Sequence, residues 1–360
     1  MHCSYGCTPE LLEGIFMNNY SEVSALLEKL CGASGVSGAE NEAASVAAEL
    51  LNEYMPVSVD ALGSVTGVSD GEGPHILLDA HLDQIGLVVT SIDCDGFLKV
   101  TKCGGADIRV LAASEVTVHG KEKLFGVITS TPPHLSKAED TDKAKGFDDI
   151  AVDIGMSRDE AVKYVSPGDR ITFNGEYKHL LGSRICSPSV DDRAGIAAIL
   201  RSLQILKDKP HSCKISVLFS VQEETGGSGA SAGAFAAQAD EAIAVDVSFA
   251  KAPSVSGDKY ANLGGGAMIG YGPSLDFAMS KKLAEIAEKN GIANQTEVMG
   301  GRTGTNCDNI QISGKGVKTA LVSVPLRNMH TAAEVCDLAD IESTAQLIAA
   351  YITERGAVNA

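Results

Sequence analysis

The second half of the chain alternates between two periodicities, and this alternation restricts the folds open to it. Helical patterns, with apolar residues three and four positions apart, occur in "DDRAGIAAILRSLQIL" and "SLDFAMSKKLAEIAEKNG". Between and after them lie apolar, strand-like runs in "KISVLFSVQEE", "EAIAVDVSFA" and "KTALVSVPLRNMH". Strands that alternate with helices form parallel sheets whose two faces the helices cover. We therefore predict an α/β fold with a mostly parallel mixed sheet flanked by helices.

The start of the chain fits the same layer arrangement. Residues 20 to 55 show helical spacing in "SEVSALLEKLCG" and "NEAASVAAELLNEYM", which the segment Gly32–Gly38 separates. In "HILLDAHLD" the apolar run Ile76–Leu78 predicts a buried strand of the sheet that ends near His81.

Between these two regions the pattern changes to short strands. From about 91 to 179, segments such as "FLKV", "EVTVHG", "LFGVITS" and "DRITFNG" are separated by glycine, proline and the charged loop "SKAEDTDKAKG". This texture indicates a small β-barrel-like insertion. We predict that 91–179 form an inserted domain and that 1–90 and 180–360 together form the α/β domain.

Composition excludes several kinds of partner. Aspartate and glutamate outnumber lysine and arginine by 47 to 29 in 360 residues, and the net charge of −18 disfavours binding to nucleic acid. No apolar run is long enough to span a bilayer, and the N-terminus lacks the pattern of a secretion signal, so we expect no membrane association. The nine cysteines are scattered without a C-x-x-C pair, which is typical of a reducing compartment. We expect a cytoplasmic protein.

Chemically active side chains follow the predicted strands where these strands end. They are His81 and Asp83, Glu223 and Glu224, Asp246, and His330, and a further acidic pair, Asp191–Asp192, opens a helix. Because ligands of open α/β sheets bind at the carboxyl ends of the strands, we expect these side chains to converge. Nitrogen and oxygen donors of this kind suit zinc, cobalt or manganese. The pattern therefore predicts a hydrolytic metal site.

Each of these residues also has an ordinary structural interpretation. A lone histidine such as His81 or His330 is often a hydrogen-bonded core residue, and the Asp191–Asp192 pair could simply cap a helix. The Glu223–Glu224 pair could be a solvated strand end. Asp246 is harder to explain in this way, because an acidic residue within an apolar strand needs a partner. The order of the whole set favours the metal site.

That order resembles the M42 family of aminopeptidases, the tetrahedral, metal-dependent enzymes related to glutamyl aminopeptidase. "AHLDQIG" is similar to the family's His-x-Asp segment, "SPSVDDRAG" to its Asp-Asp or Asp-Asn segment and "VQEETGGSGA" to its Glu-Glu-x-Gly segment. "AVDVSFA" resembles its Asp strand and "NMHTAAEV" its closing histidine segment. The resemblance covers nearly the whole chain, including the β-rich insertion, which serves substrate access and dimer contacts in the family. It implies a di-metal exopeptidase-like fold and removal of N-terminal residues from short peptides.

The resemblance also implies a metal-binding role for five residues. Asp191 would bridge two divalent ions per subunit, zinc or cobalt in the first place and manganese as a further possibility. His81 and Asp246 would complete the shell of one ion, and His330 and Glu224 that of the other.

Two further residues would act beside the ions. Glu223 would be the general base, and Asp83 would hold His81 in the ligating tautomer. Adjacent residues of an extended strand point to opposite sides, so we expect one of Glu223 and Glu224 to bind metal and the other to face water. The family also implies a cis peptide bond in Asp191–Asp192 and a homo-oligomer, a tetrahedral dodecamer built from dimers.

Alternatives remain open at this point. A related di-metal exopeptidase or amidohydrolase, such as an aminoacylase, a dipeptidase or a carboxypeptidase, would share the sheet. A non-catalytic peptide-binding assembly protein could keep the fold, but the intact Glu223 disfavours it. The sequence departs from the family at Gln84, where glutamate is common, and at Asn306 and Cys307, where many members have aspartate followed by a small residue. The segments "GGRTGTNCDNIQIS" and "ANLGGGAMIGYGPSLD" are expected to line the pocket for the first side chain.

Overall fold

The computed structural model describes residues 20–131, 133–135, 146–253, 255, 257 and 260–357. The N-terminal segment considered as a secretion signal, and most of the predicted charged loop, lie outside these residues. No helix in the described ranges is both long and apolar enough to cross a membrane.

Helices and strands occur where the two periodicities predict them, with some additions. The helices are α1 (Ser21–Cys31), α2 (Asn41–Leu51), α3 (Arg158–Tyr164), α4 (Val190–Leu206), α5 (Ser228–Ala237), α6 (Phe277–Asn290), α7 (Cys307–Ile310) and α8 (Leu338–Arg355). The largest sheet contains β1 (Val57–Val59), β2 (Val65–Val68), β3 (His75–His81), β12 (Lys214–Ser220), β13 (Glu241–Phe249), β14 (Ala267–Tyr271), β15 (Asn294–Val298) and β16 (Lys318–Leu326).

The remaining strands form two smaller units. A closed barrel contains β4 (Gly86–Ile92), β5 (Leu98–Cys103), β6 (Glu115–His119), β7 (Lys123–Ile128), β8 (Val152–Asp153) and β9 (Arg170–Phe173). A three-stranded sheet contains β10 (Lys178–His179), β11 (Arg184–Ser187) and β17 (Glu334–Asp337).

The largest sheet has the order β1-β2-β12-β3-β13-β16-β14-β15. Its four central strands, β12, β3, β13 and β16, are parallel, whereas β2 and β14 pair antiparallel with their central neighbours. This arrangement confirms the predicted mostly parallel mixed sheet. Because the central strands are adjacent and parallel, their carboxyl ends meet at one edge of the sheet.

Helices cover both faces of this sheet, as predicted. Strand β3 shows why: Ile76, Leu78 and Ala80 belong to the core that α1, α4 and α8 complete, while Leu77 belongs to a second core with α5. Successive side chains of a strand point to opposite faces, so an uninterrupted apolar run can serve both cores. Burial of each large side chain contributes about 1.5–3 kcal/mol to stability.

The inserted region forms a closed barrel with the strand order β4-β5-β8-β7-β6-β9. Alternate residues such as Leu87 and Val89 on β4, and Val116 and Val118 on β6, fill its interior. The first barrel strand begins at Gly86, ahead of the predicted boundary at 91. The domain limits themselves stay a prediction, but the barrel follows β3 after only a short connection and therefore lies against the edge where the sheet's carboxyl ends meet.

Candidate metal centre

The central strands bring a first group of donors together. His81 is the last residue of β3, Asp246 lies near the carboxyl end of the neighbouring β13, and Asp191 comes from the start of α4. His81 Nε2 is 3.0 Å from Asp191 Oδ1 and 3.8 Å from Asp246 Oδ1. All three side chains are buried. They form one compact group of nitrogen and oxygen donors.

A second group forms on the other side of Asp191. His330 lies on a turn after β16 and has a left-handed φ of 64°. Its Nε2 is 3.3 Å from Glu224 Oε1 and 3.4 Å from Asp191 Oδ2. Each oxygen of Asp191 therefore faces a different histidine. A carboxylate in that position can ligate two metal ions at once.

The two groups carry negative charge that calls for cations. In the described part of the chain, none of their carboxylates forms an ion pair with lysine or arginine. Hydrogen bonds to Asp191 and Glu224 raise the pKa of His330 to about 11. Burial, together with the charge of Asp192, raises the pKa of Asp246 well above its ordinary value. Two divalent ions would supply the missing positive charge, and the donor set fits zinc, cobalt and manganese.

Asp192 lies next to this centre but mainly binds backbone. The peptide bond between Asp191 and Asp192 is cis, which confirms the expectation from the resemblance. The Asp192 carboxylate accepts hydrogen bonds from His81 N at 3.2 Å and Gly195 N at 3.0 Å. It also offers an oxygen within 4.8 Å of donor atoms of His81 and Asp246. Asp192 thus ties the end of β3 to the first turn of α4.

The two adjacent glutamates lie on a turn and not on an extended strand. Strand β12 ends before them, and Gln222, with a left-handed φ of 62°, leads into the turn. The explanation of their different directions by strand alternation is therefore wrong. The Asp83 carboxylate holds the turn, because it accepts hydrogen bonds from Glu223 N at 2.9 Å and Glu224 N at 3.1 Å.

Asp83 also contacts His81, although mainly through its backbone. His81 Nδ1 is 3.0 Å from the carbonyl oxygen of Asp83 and 3.5 Å from Asp83 Oδ1. When Nδ1 donates this hydrogen bond in a neutral imidazole, Nε2 is left free to ligate a metal. Asp83 thereby orients His81 and both glutamates at once.

Glu223 belongs to neither donor group but lines the cavity beside them. Burial raises the pKa of Glu223 to about 7, and the charge of Glu224 adds to this effect, although His81 opposes it. A carboxylate with a pKa near neutrality can take a proton and later return it. Its place and its chemistry suit a general base.

The cavity has a volume of about 970 Å³ and extends from the two donor groups along β13 and β15. Thr303, Gly304 and Thr305 line it, as expected for the segment that contains them. Residues 261–276, by contrast, contribute nothing to its described lining, so that part of the pocket prediction is wrong. This segment is instead bound to the start of α8, where Asp340 accepts hydrogen bonds from Gly264 N at 2.8 Å and Gly266 N at 2.7 Å.

Asn306, one of the two departures from the family pattern, lies beneath the site and not in the cavity. It is buried, and its Nδ2 donates hydrogen bonds to Asp79 Oδ2 and Ser220 Oγ, both at 2.8 Å. Asp79 and Ser220 belong to the adjacent strands β3 and β12. Asn306 therefore links β3 and β12 near the edge of the sheet where the candidate metal ligands lie.

Residues 63–347 match the M42 glutamyl aminopeptidase family. The chain belongs to this family. It is 34% identical over 337 residues to a lysyl aminopeptidase of Pyrococcus furiosus, covering 91% of this chain and 96% of the relative.

Two solved structures extend the comparison to three dimensions. An aminopeptidase from the archaeon Desulfurococcus kamchatkensis superposes with a TM-score of 0.87 at 31% identity, over 93% of this chain and 95% of the other. The TET1 peptidase of Pyrococcus horikoshii, which can assemble into a tetrahedron or a large octahedral shell, gives a TM-score of 0.82 at 33% identity over 92% and 99%. The predicted fold class and the M42 resemblance are both confirmed.

Sequence reasoning missed one buried carboxylate in this M42 site. Glu334, on β17, accepts hydrogen bonds from Asp191 N at 3.0 Å and His330 N at 2.8 Å. It therefore positions the backbone of the shared aspartate and of a histidine from the second group. An acidic residue four positions after His330, in the quoted segment "NMHTAAEV", was the available signal.

The barrel also contributes to the site through two glycines after β5. An ideal Cβ at Gly105 would lie 2.3 Å from His330 Nδ1, and one at Gly104, whose φ is +77°, would lie 3.0 Å from Glu224 Oε2. Only a residue without a side chain lets the barrel approach the second donor group this closely.

We expect Gly105→Ala to weaken binding of one of two ions, because the added methyl group must displace the His330 imidazole. Disturbing a group that orients a ligand lowers metal affinity by about 10–100-fold. Competition titration against a chelator measures the change. Gly300→Ala is the matched control, since a Cβ there meets nothing within 4 Å. Equal metal affinity in the two variants would contradict the prediction.

Proposed function

We propose that this M42 family member is a di-metal aminopeptidase that removes the N-terminal residue from short peptides. The observation that carries the proposal is the Asp191 carboxylate, whose two oxygens face two different histidines beside an open cavity. In this proposal the Asp191 carboxylate would hold both ions. His81 and Asp246 would complete the ligand set of one ion, and His330 and Glu224 that of the other.

The proposed reaction places the chain's own residues around a water molecule and a peptide carbonyl. When bound, the two ions activate the water and polarise the carbonyl. Glu223 accepts the proton of the water through its carboxylate and later delivers it to the leaving amine. Asp83 keeps Glu223 at this position by binding its backbone N–H, and Glu334 holds the backbone of Asp191.

The charge of the cavity favours an aminopeptidase over a carboxypeptidase. Apart from the three carboxylates proposed as metal ligands, its described lining contains two more, those of Glu223 and Glu297, but no lysine or arginine. A free N-terminal ammonium group is attracted to such a surface, whereas a C-terminal carboxylate is repelled. A lysine or arginine side chain that could pair with a substrate C-terminus is absent from this described lining.

Three finer points also belong to the proposal. We propose zinc or cobalt as the native ions, with manganese as a further candidate, because all accept these donors. We propose a cytoplasmic location on the basis of the cysteine pattern. We propose a tetrahedral dodecamer built from dimers, for which the shells of the related TET1 peptidase are the main support.

The purified chain should contain two divalent ions per subunit and should lose peptidase activity when a chelator removes them. Elemental analysis and hydrolysis of aminoacyl amides measure both quantities. Re-addition of zinc, cobalt and manganese to separate samples identifies the ion that restores activity best. Fewer than one ion per chain, with activity that resists the chelator, would refute the di-metal proposal.

Substitution of the two glutamates separately distinguishes base from ligand. Glu223→Gln should keep both ions while kcat falls by roughly 10²–10⁴-fold, because an amide cannot take a proton. Glu224→Gln should lose one ion, and excess metal should restore part of its activity. Glu285→Gln, at an exposed position on α6, is the control. Equal mild effects in Glu223→Gln and Glu224→Gln would count against the assigned roles.

An oligomer that assembles through the barrel should depend on the barrel's exposed apolar surface. Phe125 on β7 is 60% exposed, so Phe125→Glu should shift light scattering from a dodecamer towards smaller species. Val59→Glu is the matched control, because Val59 is 58% exposed on β1, outside the barrel. A fully active monomeric wild type would refute the oligomer, and an intact Phe125→Glu dodecamer would refute the role of this surface.

A further inference from the structure

A further carboxylate, which belongs to neither donor group, lines the cavity. Glu297 lies on β15, an edge strand that none of the sequence motifs includes. Its Oε2 accepts a hydrogen bond from Ser323 Oγ at 3.0 Å, and its Oε1 accepts one from Ser248 Oγ. These serines lie on β16 and β13, so Glu297 reaches across β14 towards the centre of the sheet.

A glycine on β14 leaves room for the Glu297 side chain to cross that strand. Gly270 on β14 pairs in register with Glu297 and has no side chain to block the way. An ideal Cβ at Gly270 would lie 3.0 Å from Leu321 Cβ, so a side chain at this position would be crowded against β16. The two serine hydroxyls then fix the Glu297 carboxylate at the cavity wall.

Glu297 has no cationic partner among the residues that the structure describes. Its electrostatic neighbours are the hydroxyl groups of Ser248 and Ser323, and the described cavity lining contains no lysine or arginine. Burial raises the pKa of Glu297, while the two hydroxyl donors oppose that shift and favour the charged form. A partly buried carboxylate without a counter-charge is costly, and a cationic ligand would offset that cost.

The strand register places the two serine partners of Glu297 close to Asp246, within the length of a long side chain. Ser248 lies two residues after Asp246 on β13, a separation of about 6.6 Å on the same face of a strand. Ser323 pairs in register with Asp246 itself. A substrate whose first Cα lies near the ions could therefore place a four-carbon stem along this wall and its charged end at Glu297. Leu321 and Met299 line the same cavity and offer apolar contact for such a stem.

We propose that Glu297 is a specificity-determining residue that binds the side-chain cation of an N-terminal lysine or arginine. This inference rests on the proposed aminopeptidase function. Ser248 and Ser323 orient the carboxylate, and the apolar wall contacts the stem of the substrate side chain. The matching family is named for glutamyl substrates and one relative for lysyl substrates, so the names do not indicate the charge of the preferred side chain. The preference for a cation is inferred from Glu297 alone.

The test compares lysyl and norleucyl substrates, because norleucine has the same stem as lysine without its ammonium group. For Glu297→Gln we expect the ratio of the lysyl to the norleucyl kcat/KM to fall by roughly 10- to 100-fold, as for loss of a hydrogen bond between charged groups. The amide can still accept from one serine and donate to the other, which preserves the local packing. Glu285→Gln, exposed on α6, should leave the ratio as in the wild type.

Two outcomes of this comparison would overturn the proposal. An unchanged ratio would show that Glu297 does not discriminate between the lysyl and norleucyl side chains. An equal fall for both substrates would show that Glu297 binds the α-amino group or supports the wall in general.

Binding of the free amino acids separates this inference from the proposed function. Calorimetry should show that the wild-type protein binds L-lysine more tightly than L-norleucine, and that Glu297→Gln abolishes the difference. Equal affinities in the wild type would overturn the inference even if chelator-sensitive aminopeptidase activity is present. Absence of that activity, together with a lysine preference that depends on Glu297, would instead refute only the proposed function.

Discussion

Two imidazoles share one carboxylate at the edge of the sheet, and the rest of the site is arranged around that contact. Asp191 directs one oxygen to His81 and the other to His330. A shared carboxylate keeps two donor groups at a fixed separation, which a di-metal site requires. It also concentrates negative charge, so cations or protons must accompany it. Hydrogen bonds to Asp191 and Glu224 in this negatively charged site raise the pKa of His330 to about 11.

Three further carboxylates stabilise this arrangement mainly through backbone N–H groups. Asp83 accepts from both adjacent glutamates, Asp192 accepts from His81, and Glu334 accepts from Asp191 and His330. Groups behind the ligands orient them and tune the metal that they hold. The site therefore depends on a connected set of buried acids, each bound to the backbone of a neighbour.

The barrel is part of the same construction. Its first strand follows β3 directly, and the turn after β5 brings Gly104 and Gly105 against Glu224 and His330. Arg170 on β9 donates a hydrogen bond to the carbonyl oxygen of Ser37 at 3.0 Å, which joins the barrel to the segment between α1 and α2. One side of the metal centre is thus closed by the insertion, while the cavity opens along the sheet.

The sheet and the residues at its carboxyl edge can be predicted from the amino-acid sequence alone. Buried parallel strands need continuous apolar runs, and parallel neighbours end at the same edge, so His81, Asp246 and His330 could be brought together from their strand positions alone. The turn at Glu223, the contact of Gly105 with His330 and the position of the Glu297 carboxylate could be recognised only in the folded structure. The reason is that these features depend on distances between segments far apart in the chain. β15 is a polar edge strand without an apolar run. The sequence around Glu297 therefore gives no indication that its side chain contacts serines two and three strands away.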